Sequence, residues 1–449
     1  MRDEWLTLKQ IAQLSGGQLK GEDADVYGVS IDSRQVHLGD LFVALKGPRF
    51  DGHDFVDTDI EAKAAGVLVH RHIETSLPRI EVSDTLEGLT QLASNWRASL
   101  NLECVAVTGS NGKTTVKQMI RQILSQHASV CSTQGNLNNH IGVPLTLLQL
   151  RKTHQYLVAE LGANHKGEIR HLTHLAKPNV TVINNAGPAH LEGFGSIQGV
   201  VEAKGEIIEG LSEDGIAILN ADDANVEQWK VMAGKRKVLT FGLHKEADVR
   251  GIQKGKQTLE IRVAGQVIET NLAMPGEHNF CNALAATAAC HALNISLETI
   301  AAGLASAESV HGRLQMYKGL LGSVVLDDTY NANPASLRAA VDVLCAQDSQ
   351  SWLVLGDMGE LGEYAETMHG EMGAYARDAG VDGLFTVGPL SKHAAKAFGD
   401  NAYSFDNHQD LAAALLEKMQ AGLCVLVKGS RTMHMEEIVA LLREPSVVH

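Results

Sequence analysis

No run of about eighteen apolar residues occurs in this 449-residue sequence, so no segment reads as a membrane-spanning helix. The N-terminal MRDEWLTLKQ lacks the apolar centre of a signal peptide, and a soluble, cytoplasmic protein is expected. Cysteine is sparse. Six residues (Cys104, Cys131, Cys281, Cys290, Cys345 and Cys424) lie scattered and no C-x-x-C pair occurs, which counts against a zinc site or a disulfide framework. Positive charge is short as well: 38 Lys and Arg face 53 Asp and Glu, for a net charge of −15. Without a basic run a nucleic-acid partner is not expected, because a phosphate backbone is held by clustered cations. Aromatics make up 4% and Pro only 9 residues, against 43 Gly. A glycine-rich, proline-poor chain suits α/β units with tight strand-to-helix turns, and the length predicts about three domains.

Along the chain the pattern changes twice. Residues 1–83 mix short elements: LTLKQIAQLSGG reads as a helix closed by Gly16-Gly17, and VYGVSIDSR, DLFVAL and AGVLV read as strands. DTLEGLTQLASNWRASL is an amphipathic helix with Leu86, Leu89, Leu92 and Ala93 on one face, a connector into a second unit over 84–312. There Cys104 to Val107 is a short apolar run, and the runs YLVAEL, VTVINN and GIAILN each end in polar residues, as parallel strands whose carboxyl ends carry ligands do. NFCNALAATAACHAL is a helix of small residues suited to close packing. After Gly312-Arg313 the rhythm restarts. SVVLDD, SWLVLGD, GLFTVG and CVLVKGS, separated by helices such as PASLRAAVDVLCA, predict a third α/β unit over 313–449.

The chemistry concentrates in VTGSNGKTT, residues 107–115. A strand precedes it, and Val116, Met119, Ile120, Ile123 and Leu124 follow at helical spacing. In such a loop the backbone N–H groups of Gly109, Ser110, Asn111 and Gly112 and the helix start at Lys113, Thr114 and Thr115 cradle phosphate oxygens. Lys113 reaches the β- and γ-phosphates and the Thr114 hydroxyl can ligate Mg²⁺. The full phosphate-loop pattern has Gly where Val107 stands, so the match is the shorter GxxGKTT form. Nucleotide binding alone fits a switch, a motor or a transferase. Three further residues stay open on their own residue types. Glu160 is a metal ligand or a solvated strand-end acid, His190 a ligand or a structural histidine, and Lys204 in a helical stretch is ordinarily a surface cation.

These pieces together resemble the Mur ligases, the ATP-dependent amide-forming enzymes of peptidoglycan precursor synthesis. TGSNGKTT is similar to that family's own loop. GNLNNHIGVPLTLL (135–148), ELGANHKGEI (160–169), AHLEGFGS (189–196), DDTYNANPASLRAAV (327–341), GDMGELG (356–362) and KGSR (428–431) resemble the branch that adds D-alanyl-D-alanine to UDP-N-acetylmuramoyl-tripeptide. The D-N-P-R of the diaminopimelate-adding branch is absent. Val310-His311 stands before Gly312-Arg313 where a Pro is common.

The resemblance implies a small N-terminal α/β domain that binds the UDP end, a central P-loop ATPase domain with a mainly parallel sheet, and a Rossmann-like C-terminal α/β domain. It implies ATP and two Mg²⁺ ions as cofactors, with Thr114, Glu160, His190 and a carbamoylated Lys204 as metal ligands. Lys113, Lys204, His190 and Arg313 would be catalytic. Asn279 and Asn282 would lie near adenine and ribose, Arg313 at the γ-phosphate and Asp328 at the ribose. Ser30, Asp32, Ser33, Arg34, Lys46 and Gly47 would bind the UDP moiety, and Asn136, Asn138 and Asn139 the sugar–peptide channel. Tyr330, Asn331 and Asn333 would approach the incoming dipeptide, and by looser analogy Lys428 and Arg431 would face the active site. A monomer is expected, with the C-terminal domain closing onto ATP. The alternatives are another ligase of the same superfamily, either amino-acid-adding or folylpolyglutamate synthase, and a nucleotide-dependent switch that forms no bond.

Overall fold

The structure is a computed structural model that describes residues 5–444. Its first unit is a 5-stranded sheet in the order Gln18–Lys20, Arg79–Glu81, Gly66–Val69, Asp40–Val43, Gly28–Ser30. All pairs are parallel except the first. Helix Leu8–Ser15 starts on a capping box between Thr7 and Gln10 and stops at Gly16, whose φ of 70° only glycine adopts without strain. The predicted connector is helix Thr85–Ala98, N-capped by Asp84. It packs against Leu8–Ser15 on one side and against helices Gly142–Leu148 and Glu168–Ala176 on the other. One apolar cluster therefore runs from Leu8, Leu89, Leu92 and Trp96 through to Leu157, Leu172 and Trp229. Buried Arg97 reinforces this seam by donating to the Ala176 and Lys177 carbonyls.

The middle unit is a 9-stranded sheet in the order Gln266–Asn271, Thr258–Val263, Val249–Gln253, Lys237–Gly242, Ile216–Asn220, Val180–Ile183, Glu103–Thr108, Tyr156–Glu160, Val130–Ser132. It is parallel from Val130–Ser132 through Val249–Gln253. The last two strands form an antiparallel ribbon that the sequence reading did not include. They turn at Ala264-Gly265, both at positive φ, as a two-residue hairpin demands. Helices Lys113–Leu124 and Glu277–Ala292 cover one face, where Ala283, Ala285, Ala286, Ala288 and Ala289 allow close approach.

The third unit is a 6-stranded sheet in the order Gln315–Lys318, Val324–Asp328, Leu423–Lys428, Gln350–Gly356, Gly383–Val387, Ala402–Phe405, parallel except at its first strand. The four predicted apolar runs are its four central strands. Its two cores are its own. It meets the middle unit through isolated contacts: Asn333 to Asn111, Glu360 to His190, Lys256 to Asp348, and Met368 against a small apolar cluster. The first seam is thus a shared core, whereas the second is mostly polar, the kind that permits relative motion.

Candidate active site

The loop after strand Glu103–Thr108 turns at Gly109 and at Gly112 (φ 79°), the residue before helix Lys113–Leu124. Asn184-Asn185-Ala186-Gly187, at the end of strand Val180–Ile183, holds this loop; the sequence reading marked that strand end but gave these residues no role. Asn184 Nδ2 donates to the Asn111 carbonyl (3.0 Å) and to Asn282 Oδ1 (2.9 Å). The Asn111 N–H donates to Asn185 Oδ1 (2.9 Å), and Ser110 Oγ exchanges hydrogen bonds with Gly187. The apolar run ending in Asn-Asn was the available signal, since parallel strands deliver ligands at that end. Lys113 Nζ donates to the Gly109 carbonyl (2.7 Å). Burial lowers its pKa, an effect that nearby Glu160 opposes and Arg313 assists.

A cavity of about 1300 Å³ opens beside this loop. It gathers Asn111, Gly112, Thr114, Thr115, Asn279, Asn282, Arg313 and Asp328, eight of the expected ATP residues, from two domains. Gly109, Ser110 and Lys113 shape the loop behind it. Asn279 and Asn282 are hydrogen-bonded to each other, and Asn279 also donates to the Pro275 carbonyl. Arg313 lies over the Tyr330 ring at 4.0 Å, and its buried Nε has no hydrogen-bond partner. A second cavity of about 720 Å³ shares Thr114 and Arg313 with the first and adds Tyr330, Lys117 and Arg121.

Of the candidate metal ligands, Glu160 and Lys204 are buried. Glu160 ends strand Tyr156–Glu160, accepts from Asn138 Nδ2 through Oε1 (2.8 Å), and leaves Oε2 without a hydrogen bond. Buried Lys117, which the sequence did not single out, lies 3.7 Å from that oxygen. Lys204 sits in helix Ile197–Gly205, fully buried, 5.3 Å from the centre of the Phe194 ring. Burial, helped by nearby Lys113, lowers its pKa to about 7, while Glu168 and Glu206 pull the other way. His190, at φ 54°, meets the same Phe194 ring edge-on, and its Nδ1 lies 2.5 Å from Glu360 Oε2.

Among the described residues no three His, Cys, Asp or Glu side chains form a metal cage. Mg²⁺ is ordinarily held by one or two carboxylates together with substrate phosphates and water. Thr114, His190 and the Glu160 oxygen that accepts no hydrogen bond are donor types that fit such a partial site.

Most of the other expected residues bond within the protein. Asn138 positions Glu160, and Asn139 Oδ1 accepts from the N–H groups of Ile141 and Gly142 at a helix start. Asn136 is exposed. In the C-terminal domain, Asn331 Oδ1 is taken by the Ala332 N–H. Asn333 caps helix Pro334–Cys345 through its oxygen and reaches Asn111 through its nitrogen (2.8 Å). Only Tyr330 of that trio lines a cavity described above. Asp328 is paired with buried Lys428, which also donates to the Asn331 carbonyl (2.8 Å). Arg431 instead pairs with Glu436 at the surface. In the N-terminal domain SIDSR folds on itself: the Ser30 hydroxyl donates to the Asp32 carbonyl, Asp32 N-caps the turn that contains Ser33, and exposed Arg34 forks onto Asp32. Lys46 bridges Asp51 through the backbone, and the Gly47 N–H donates to the Phe50 carbonyl. Neither cavity includes these N-terminal residues.

Family models of the Mur ligase type match three segments in turn. The Mur ligase family catalytic domain matches residues 25–97, the Mur ligase middle domain 107–290, and the Mur ligase glutamate ligase domain 312–431. A curated relative, the UDP-N-acetylmuramoyl-tripeptide--D-alanyl-D-alanine ligase of Escherichia coli (strain K12), is 41% identical over 445 residues, covering 98% of each chain. The chain belongs to the Mur ligase family. Among solved members, crystal structure I of MurF from Acinetobacter baumannii is 36% identical with a TM-score of 0.91, covering 98% of each chain. The MurF ligase of Thermotoga maritima in complex with ADP is 30% identical with a TM-score of 0.83, covering 92% of this chain and 96% of that one. No helix among the described residues is long and apolar enough to cross a membrane.

Proposed function

We propose that this Mur ligase joins D-alanyl-D-alanine to UDP-N-acetylmuramoyl-tripeptide in an ATP-driven, ADP-forming reaction of cytoplasmic peptidoglycan precursor synthesis, acting as a monomer. Residues 1–83 bind the UDP end of the substrate, 84–312 bind ATP, and 313–449 close onto ATP. The observation that carries this reading is the meeting of two domains at one phosphate loop. Asn333 is hydrogen-bonded to Asn111, and Arg313 lines both cavities that flank Thr114. Identity to curated ligases of this branch along nearly the whole chain supports the choice of substrates.

A carboxylate and an amine do not condense at neutral pH, because the carboxylate is a poor electrophile. The terminal carboxylate of the tripeptide therefore attacks the γ-phosphorus of ATP. The bond to the bridging oxygen breaks, ADP leaves, and an acyl phosphate remains. The dipeptide amine then attacks the acyl carbon, loses its proton, and inorganic phosphate departs. For the first transfer the protein supplies positioning and electrostatics. The loop N–H groups and Lys113 hold the phosphates, and Arg313 disperses charge from the opposite side with a donor that nothing else occupies. Thr114, Glu160, His190 and a carbamate on Lys204 would hold two Mg²⁺ ions, which when bound neutralise charge on the transferring group. The carbamate forms when the neutral amine of Lys204 adds to carbon dioxide and releases a proton, turning a buried cation into an oxygen donor that Mg²⁺ prefers. No enzyme nucleophile is needed. Burial pushes the Cys104 thiol to about 12 and Cys131 and Cys424 to about 11, so these stay protonated at neutral pH.

The test combines purified protein, ATP, UDP-N-acetylmuramoyl-tripeptide and D-alanyl-D-alanine, with product mass and phosphate release as readouts. One ADP and one phosphate per pentapeptide are expected. Ligation of single amino acids in place of the dipeptide would move the protein to another branch. ATP turnover indifferent to both peptides would make it a switch.

A further inference from the structure

We infer that Glu360 is a positioning residue: carried by the C-terminal domain, its carboxylate holds the imidazole of His190 in the middle domain, so that His190 is oriented for its ligand only while the two domains are docked. The inference rests on the ligase reading above and extends it to a residue with no role in that scheme.

Two strained residues face each other across the seam. Glu360 lies in GDMGELG, the loop after strand Gln350–Gly356, at φ 61°. His190 stands just before the short helix Leu191–Phe194, at φ 54°. Neither is glycine, and a left-handed backbone at such residues persists where surrounding contacts impose it. His190 Nδ1 and Glu360 Oε2 are 2.5 Å apart, at ion-pair distance rather than in aligned hydrogen-bond geometry, and no other atom hydrogen-bonds that nitrogen. The Glu360 side chain is 49% exposed. With its carboxylate end this open to solvent the pair adds little to stability, so stability does not explain the strain on both backbones.

Function does. A carboxylate this close to one imidazole nitrogen fixes which way that edge of the ring faces and leaves Nε2 on the other edge, where it can bind a cation. Here the carboxylate comes from a different domain than the histidine. Docking reinforces the arrangement at the same spot: Met368, on C-terminal helix Ala365–Asp378, packs against the cluster of Leu191, Phe194, Val200 and Ala203. Phe194 in turn touches both His190 and Lys204. An undocked C-terminal domain removes the carboxylate and the apolar support together, which keeps the phosphoryl-transfer site incomplete until closure.

The experiment compares the full-length chain with Glu360→Ala and Glu360→Gln. Mn²⁺ affinity is measured by electron paramagnetic resonance in the presence of a non-hydrolysable ATP analogue, alongside Tm, kcat and KM. Glu360→Ala should weaken Mn²⁺ binding by about 10- to 100-fold and lower kcat comparably, with Tm and the KM for the dipeptide nearly unchanged. Glu360→Gln keeps an acceptor oxygen and should recover most of the affinity. Mn²⁺ affinity in Glu360→Ala within twofold of the parent overturns the inference, as does equal loss in both variants tracking a fall in Tm. Mn²⁺ binding does not require ligation, so failure of the parent to make peptide would count against the ligase reading alone.

Discussion

Gly112→Ala tests how the nucleotide loop is held. Gly112 has φ 79°, and a Cβ placed there would lie 2.3 Å from Asn282 Oδ1 and 2.4 Å from Asn184 Nδ2. Those two atoms are hydrogen-bonded to each other at 2.9 Å in the protein interior. The substitution therefore costs twice. An L-residue in the left-handed region is disfavoured by about 1–2 kcal/mol. Parting two buried amides leaves polar groups unsatisfied, for about 1–3 kcal/mol more. Since the nucleotide needs the native loop, the combined cost of about 2–5 kcal/mol appears as a loss of ATP affinity of roughly 30- to 3000-fold. Isothermal titration calorimetry with a non-hydrolysable analogue reads it directly. Gly234→Ala is the control: φ there is 60°, yet a Cβ meets nothing within 4 Å. It should cost only the conformational part and leave nucleotide affinity alone. Equal affinity in Gly112→Ala and the parent would refute the argument that the Asn184–Asn282 pair sets this loop.

Lys113→Ala should abolish ligation while circular dichroism and Tm stay near those of the parent, since the side chain binds only its own loop here. Lys204→Ala should be inactive and partly rescued by acetate or formate in the assay; unchanged activity would dispose of the carbamate. Lys428→Met leaves the Asp328 carboxylate buried and unpaired, for about 3–5 kcal/mol of C-terminal domain stability by denaturant titration, and Asp328→Asn in the same chain should restore much of it. Asp51 gives a pH signature. Burial alone would raise its pKa, but the backbone N–H and imidazole of His53, with Arg71, bring it down to about 2. A carboxyl depressed on folding contributes stability above its unfolded value near 4 and loses it as pH falls toward 2. The Tm advantage of the parent over Asp51→Asn should therefore shrink between pH 4 and pH 2 in thermal melts.

Local pattern carried much of the fold and part of the site. The apolar runs at strand length, the glycine loop before a helical repeat and the restart after Gly312 all report on neighbours within a few residues, and backbone geometry acts at that range. The Thr258–Asn271 hairpin was legible by the same means, through alternating Leu259, Ile261 and Val263 and an Ala-Gly turn. Burial was not. A lysine on a helix is normally solvated, yet Lys204 and Lys117 lie inside, because elements distant in the chain close over them.

What the sequence determined by itself was therefore the alternation of strands and helices, the phosphate-binding loop and, through whole motifs, the family. The tertiary structure alone decided which polar side chains are free to act. Asn333 reaches across 222 residues to Asn111, and Asn331 is turned inward on its own loop. Glu360 meets His190 from another domain. Hydrogen bonds and desolvation depend on separation in space, and the chain sets that separation only once it has folded.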